Sequence, residues 1–583
     1  MLYLRIKMMG VAAAAFVLIF AGCGAVSELS APQEIQEIPA QEIQDVIDPE
    51  LENVLESASP SESIPVIVTL KGRPGSSPTV VKSLLKSRAI EDIQTLWIIN
   101  GMALKANADA IRELAVQPEV ESIRIDATLA APQPLAAGGG APSDGWNLGD
   151  IRAPEFWAMG YTGAGVVVAT MDTGADADHP DLAAKWRGGA NSWFDPNGEH
   201  GTPHDASGHG TSVMGIIVGG NSSGAPIGVA PGAQWIAVKI FNDAGVTTYS
   251  KIHMGFQWLL DPDGNPATDD KPDVVNNSWG LREFVNDCIT EFEPDVAALK
   301  AAGIALTFSA GNEGPASATS ISPANYAESF ATGATNDTRT IASFSSRGPS
   351  ACVASTYPEI VAPGVNVKTA DLTYGGTFPD SYTYLSGTSF ASAHVAGAMA
   401  LLLSADPFAT VSELESGLKY GALPPGTGGK DNIYGYGLLD VVGAHEMLVN
   451  PPDCTDADGD GYFADPLCRT EPDCNDSDAS IHPNAQETKH DAIDQDCNGY
   501  DLTIDVVSAN YSYMTRRLRV EASSEFGTGA DLELMGYGPM IWNPSSSKWE
   551  TTVTGISRFP RRVTVTGIEG AQSSITRISR RQF

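Results

Sequence analysis

At 583 residues the chain exceeds one compact module, and a prior of roughly 150 residues per domain suggests about four. With 42% hydrophobic and 18% charged residues it has ample apolar material for a core and no signature of overall disorder. The net charge of −36 repels phosphate backbones and excludes nucleic acid as the main partner, while suiting an exported, calcium-containing setting. The one long apolar stretch near the start, Met8 to Ala21, spans 14 residues and is too short for a comfortable membrane crossing, so a multi-pass membrane protein is excluded.

Residues 1–23 follow the order of a secretory signal: Arg5 and Lys7, the apolar stretch, then Ala21-Gly22-Cys23. The ending resembles a bacterial lipobox with Phe20 in place of the usual Leu, so export is expected, with Cys23 as the lipidation site and a lipid anchor as the contact with a membrane. Residues 24–62, rich in Glu, Gln, Ile, Ala and Pro, read as a tether. Residues 63–127 form a small α+β unit: strand Ile64 to Leu70, helix from Thr79 to Leu96, strand Met102 to Ala106, helix Ala108 to Ala115 and strand Val120 to Ile125. Residues 128–145 collapse into Ala, Pro and Gly, including Gly138-Gly139-Gly140, and read as a protease-accessible linker.

Residues 146–450 alternate apolar strands (Val166 to Met171, Trp235 to Ile240, Val274 to Asn276, Ile304 to Ser309, Phe330 to Ala334) with helical segments. Strands buried on both faces with helices between them imply an α/β fold around a parallel sheet. Reactive groups in such sheets gather at the carboxyl ends of strands. Asp172 ends the first strand in Asp172-Thr173-Gly174; His209 opens an apolar helix in His209-Gly210-Thr211; Ser389 opens the small-residue helix Phe390 to Leu403 in Gly387-Thr388-Ser389, where a helix N-terminus favours a developing anion.

These three stretches, in the order Asp, His, Ser, resemble the signatures of the subtilisin-like serine proteases. Ser309-Ala310-Gly311-Asn312, Ser343-Phe344-Ser345-Ser346-Arg347-Gly348-Pro349 and Ala362-Pro363-Gly364 extend the likeness over about 300 residues. Asp273 to Gly280 and the 37-residue gap between Asp172 and His209 point to the bacillopeptidase F branch. Ser212 and Ala393 stand where many members carry His and Pro. The resemblance implies a subtilisin-like parallel sheet flanked by helices and a serine endopeptidase. It makes His209 the general base for Ser389, Asp172 its orienting carboxylate, and Asn312 an oxyanion donor beside the Ser389 backbone N–H. It also implies an extended peptide bound along Ser278-Trp279-Gly280, with Ala310 and Gly311 lining the pocket, although Trp279 reads equally well as a packing aromatic. The α+β unit resembles the family's inhibitor-type propeptide, which predicts self-processing somewhere within Asp126 to Gly145. The alternative from another class is a catalytically silent surface protein binding calcium, glycan or protein partners; the intact triad argues against it.

A zinc reading of His200, His204 and His209, four and five residues apart, is not expected, because Gly201 and Pro203 deny the helix that would align an i, i+4 pair and no Glu follows His200. Residues 451–502 are acidic, with 14 Asp plus Glu against two Lys plus Arg over Pro451 to Asp501. Asp456, Asp458 and Asp460 alternate before a glycine turn as hard cations require, yet the twelfth position is Leu467, so a full EF-hand fails and a calcium loop of another kind is expected. Asp476, Asp478, Asp494, Asp496 and Asn498 lie in stretches resembling the MopE-type metal-binding repeat, with Lys489-His490 where that repeat has Cys. Calcium is the expected structural cofactor, and no organic cofactor is expected. Cys454, Cys468, Cys474 and Cys497 permit three pairings, and Cys288 and Cys352 are expected to be buried or paired rather than catalytic. Alternating segments over residues 503–583 suggest a small β-sandwich.

Overall fold

The computed structural model describes residues 46–72, 85, 90, 92–133, 135–136, 143–353, 355–373, 381–424, 430–450, 456–464, 473–483, 485–491, 493–498, 501–512, 514–556, 562–567, 570–574 and 578–580. The signal segment with Cys23, and Cys454 and Cys468, lie outside the described residues.

The N-terminal unit is a four-stranded antiparallel sheet, order β2-β3-β1-β4, built from β1 (Ile64–Leu70), β2 (Gln94–Leu96), β3 (Gly101–Ala106) and β4 (Val120–Ile125). Helices α1 (Pro49–Ser57) and α2 (Ala108–Ala115) cover one face, where Leu51, Leu55, Ile111 and Leu114 bury against Val66, Val68 and Ile123. Asn107 caps α2 by accepting the Ala110 N–H at 2.9 Å. The expected helix from Thr79 to Leu96 is corrected at its end: Gln94–Leu96 pairs with β3 as a strand, and most of residues 73–91 lie outside the described residues. The other face of the sheet, through Ile67, Leu96 and Ala103, shares a core with Tyr249, Phe256 and Phe292 of the following domain.

That domain is built on a seven-stranded parallel sheet, order β14-β13-β12-β11-β7-β9-β8. Its strands are β7 (Val167–Asp172), β8 (Trp193–Phe194), β9 (Gln234–Lys239), β11 (Val274–Asn277), β12 (Ala305–Ser309), β13 (Ala331–Thr335) and β14 (Ile360–Pro363). Nearly every strand residue is buried, which is why these strands read as continuous apolar runs rather than alternating ones. Around the sheet lie α3 (His209–Val218), α4 (Tyr249–Leu260), α5 (Glu293–Ala301) and α6 (Thr388–Ala405). Helix α6 alone is long and apolar enough among the described residues to cross a membrane, but 83% of it is buried and it is the core helix of this domain. The order places β9 on one side of β7 and β11 on the other, a switch point that opens a crevice at the carboxyl ends of β7 and β11.

Two small sheets join the first unit to the second. β5 (Thr128–Ala130) pairs antiparallel with β10 (Val246–Thr248), and β6 (Leu135–Ala136) pairs antiparallel with β16 (Tyr382–Ser386), which also pairs with β15 (Val367–Ala370). The segment read as a free linker is therefore held on both sides of the crevice. Main-chain pairing supplies the hold, so the poverty of its side chains is no obstacle.

The C-terminal region has a five-stranded and a four-stranded sheet around Leu518, Val520, Leu534, Trp549 and Val565. The acidic module precedes it, with Cys474 bonded to Cys497; Cys288 is bonded to Cys352 in the parallel-sheet domain.

Candidate active site and acidic loops

Each reactive side chain stands at the end of an element. Asp172 is the last residue of β7 and is fully buried. Its Oδ1 accepts the Thr173 N–H at 2.7 Å and lies 2.8 Å from His209 Nδ1. His209 is the first residue of α3, 2% exposed, placed by Gly208 at φ +89°. The neighbouring backbone closes tightly: a Cβ on Gly210 would stand 2.1 Å from the Gly174 carbonyl oxygen, so only glycine fits there. The fully buried Asp205 gathers the loop before the helix, accepting from the Ser207, Gly208 and Thr211 N–H groups and from the Thr211 hydroxyl.

With Nδ1 on Asp172, the buried His209 Nε2 has no hydrogen-bond partner among the described residues. Burial works against the imidazolium, but the charge and hydrogen bond of Asp172, helped by Asp205, outweigh it and raise the imidazole above its ordinary 6.5. The His209 ring centroid lies 5.9 Å from that of Phe390, the residue after Ser389, which sets the imidazole beside the start of α6.

Ser389 is the second residue of α6, following Gly387 at φ +153°. Its Oγ reaches the Ser278 carbonyl at 3.4 Å, while its own carbonyl accepts from Ser278 Oγ at 2.9 Å. Asn312 accepts from Thr388 through both N–H (3.0 Å) and hydroxyl (2.9 Å) at Oδ1. That pins the amide and turns Nδ2 toward Gly387, 3.6 Å from where a Cβ would be. Three buried residues that sequence reasoning missed support this arrangement. Asn276 donates to Ser278 Oγ and accepts from Ser392 Oγ, each at 2.8 Å, and Ser392 lies 3.0 Å from the Thr307 hydroxyl. Asn276 within an apolar strand was the available signal, since a buried amide must find partners.

The residues expected to bind peptide divide by what they present. The Trp279 side chain packs against Phe256 and Phe292 in the core, as a packing aromatic does. Gly280 and Gly311 (φ +103°) close on Ile321, with added Cβ atoms 2.5 and 2.9 Å from its Cδ1, and the Ala310 carbonyl accepts from the Tyr357 hydroxyl. The edge carrying the extended segment is β10: Leu129 stands opposite Thr247, and the Ala131 N–H donates to the Gly245 carbonyl at 2.8 Å. Beyond the crevice, Leu135 pairs with Ser386, three residues before Ser389. This edge escaped sequence reasoning; the β-branched Val246-Thr247-Thr248 after Asn242-Asp243-Ala244-Gly245 was its signal.

The N-terminal unit is fastened by polar contacts as well. Asp126 accepts the Ser250 N–H (2.8 Å) and hydroxyl (2.6 Å) in the first turn of α4. Arg124 makes two 2.6 Å contacts with Glu291, whose Oε1 lies 3.0 Å from His253 Nε2; His253 Nδ1 is 2.9 Å from both Asp295 oxygens. Burial opposes the His253 charge, but Asp295 and Glu291 push it up to about 9. Burial likewise opposes Glu291, which His253 and Arg124 hold down at about 2.

In the acidic module Asp456, Asp458 and Asp476 bring one carboxylate oxygen each within 4.8 Å of one another, as do Asp458, Asp460 and Asp473. Asp473, 4% exposed, was missed. Among the described residues, one buried oxygen each of Asp458, Asp460 and Asp473 has no hydrogen-bond partner, so the donor set fits a hard, oxygen-seeking cation. Asp478 instead accepts from the Ser480 N–H and hydroxyl. Asp494, Asp496 and Asn498 shape a separate turn, with the Asn498 N–H on both carboxylates. Burial beside Glu487 raises Asp496 to about 6.

Comparison with known proteins agrees with this geometry. Residues 163–437 match the model of the "Subtilase family", and residues 473–501 match a "Putative metal-binding motif". The chain is 37% identical to bacillopeptidase F of Bacillus subtilis over 399 residues, covering 62% of this chain but 27% of that protein. It is 35% identical to subtilisin E of B. subtilis over 348 residues (59% of this chain, 81% of that protein) and 36% identical to subtilisin of Bacillus pumilus over 306 residues (52% and 99%). The chain belongs to the subtilase family of serine endopeptidases.

Proposed function

We propose that this chain is an exported serine endopeptidase made as a self-processing precursor, with calcium as a structural ion of its acidic module. The 2.8 Å contact of buried Asp172 with His209 Nδ1 carries the reading, because it leaves Nε2 without a partner among the described residues, on a ring beside Phe390 in the first turn of the helix that bears Ser389. Nε2 takes the Ser389 hydroxyl proton as Oγ attacks a peptide carbonyl, and returns it to the leaving amine. Asp172 fixes the tautomer and stabilises the imidazolium. Asn312 Nδ2 and the Ser389 N–H hold the oxyanion, and water then hydrolyses the acyl-enzyme by the same route.

The first substrate is the chain itself. Thr128 to Ala131 lie along β10 and Leu135 along β16, and these two pairings support a cut after Ala131 and before or at Leu135, a narrower interval than Asp126 to Gly145. The unit before them acts as intramolecular inhibitor. Calcium binds the Asp456–Asp476 loops, and the signal segment directs export with a lipid on Cys23. Fluorophosphonate labelling of purified protein tests the enzyme: the wild type is labelled and Ser389→Ala is not, whereas equal labelling or none refutes the triad. N-terminal sequencing of the processed wild type is expected to begin within residues 132–135. A Ser389→Ala chain trimmed at the same bond in a host lacking other proteases would exclude self-cleavage.

A further inference from the structure

His200 and His204 fail as a helical ligand pair, yet the fold brings them together without a helix. The loop after β8 folds so that the two imidazoles stack, centroids 3.8 Å apart with 23° between planes. His200 Nε2 lies 2.9 Å from Asp243 Oδ2. One nitrogen of each ring and one Asp243 oxygen fall within 4.8 Å of one another, and His209 is not among them. Tetrahedral zinc, with bonds of about 2.0–2.2 Å, needs such atoms about 3.3 Å apart, within reach of small side-chain rotations.

The surroundings suit a cation. Asp195 Oδ2 accepts the Glu199 and His200 N–H groups, and Glu199 Oε2 accepts the Asp243 N–H. A nearby ammonium, Lys239, lies 3.2 Å from Asp243 Oδ1 and is held by the Thr173 and Phe241 carbonyls, which leaves Oδ2 to the His200 imidazole; a second, Lys251, donates to the Pro196 carbonyl. The side chains of His200 and Asp243 are 26% and 42% exposed, so a cation can enter and water can complete its shell.

We propose that His200, His204 and Asp243 bind a divalent transition cation of the zinc class. Two imidazole nitrogens and a carboxylate favour such an ion over calcium, which takes oxygen ligands. The ion holds no reacting atom; it is a brace. Asp243 lies in the turn closed by the Gly245 N–H on the Asn242 carbonyl, which leads into β10. On the other side, the His204 carbonyl packs on Gly174 and the adjoining Asp205 holds the start of α3. The cation therefore fastens the β10 edge to the loop that leads into α3 and His209. Binding itself is independent of the protease reading; only this consequence rests on it.

The test uses the full chain carrying Ser389→Ala, titrated with Co2+ and then Zn2+ in saturating calcium so that the acidic loops are filled. One equivalent with the visible absorption of tetrahedral, nitrogen-ligated cobalt is expected, displaced by Zn2+. Adding His204→Gln, or separately His200→Gln, is expected to weaken it about tenfold or more, with the melting temperature of the metal-free protein unchanged. A cobalt spectrum identical in both variants, or no such spectrum in the parent, overturns the site.

Discussion

In the proposed mechanism Asp172 acts on His209 and Asn312 on the oxyanion, and the two roles separate kinetically. Because Asp172 raises the imidazole, the acid limb of kcat/KM is expected above pH 6.5, with activity gained as His209 loses its proton. Asp172→Asn is expected to cost about 10⁴ in kcat and move that limb downward. Asn312→Ala is expected to lower kcat by about 10²–10³ with the acid limb in place, because it removes one donor to the transition state and leaves the base untouched. Peptide hydrolysis followed from pH 5 to 10 checks both. The proposed triad residues and Asn312 stand out in the sequence because each lies in a glycine-containing motif near a strand or helix end. Asn276 and Ser392 do not, since a buried amide or hydroxyl within an apolar run is defined by partners far away in sequence.

At the level of elements, the central strands read to within about one residue because doubly buried β-structure needs unbroken apolar runs. β2, β6 and β10 did not, since edge pairing through the main chain leaves almost no side-chain pattern. The junction of β4 with the loop before α5 carries a further prediction. Arg124→Ala leaves buried Glu291 without its guanidinium and is expected to weaken a separately added N-terminal unit by about 2 kcal/mol, roughly 30-fold, in inhibition of the mature enzyme. The adjoining His253 gives a pH signature. Its value in the fold is raised from 6.5 to about 9, so its stabilisation is complete below pH 6.5 and lost as pH rises through about 9. Glu291, depressed from 4.5 to about 2, contributes above pH 4.5 and loses that contribution as pH falls through about 2. Denaturant unfolding of the Ser389→Ala chain is expected to weaken between pH 6.5 and 9, and His253→Gln to remove that part of the slope.

For the whole molecule, the net charge of −36 is partly concentrated in a module where buried oxygens of Asp458, Asp460 and Asp473 lack partners among the described residues. Removing calcium is expected to lower the melting temperature of the C-terminal region by several degrees in calorimetry of the Ser389→Ala chain. Asp473→Asn is expected to reproduce most of that loss in the presence of calcium. Sequence pattern located this module but not Asp473, whose role depends on the loop at Asp456 to Asp460 folding back over it.

The pairing of one continuous segment with β10 before the crevice and β16 after it has a consequence for activation. Breaking a bond between these two grips severs the covalent connection but leaves the upstream fragment its strand, its Asp126 cap on α4 and its Arg124 anchor. If the chain processes itself as proposed, latency would outlast hydrolysis, and the onset of proteolysis would be timed by the departure or destruction of that fragment rather than by the first cut.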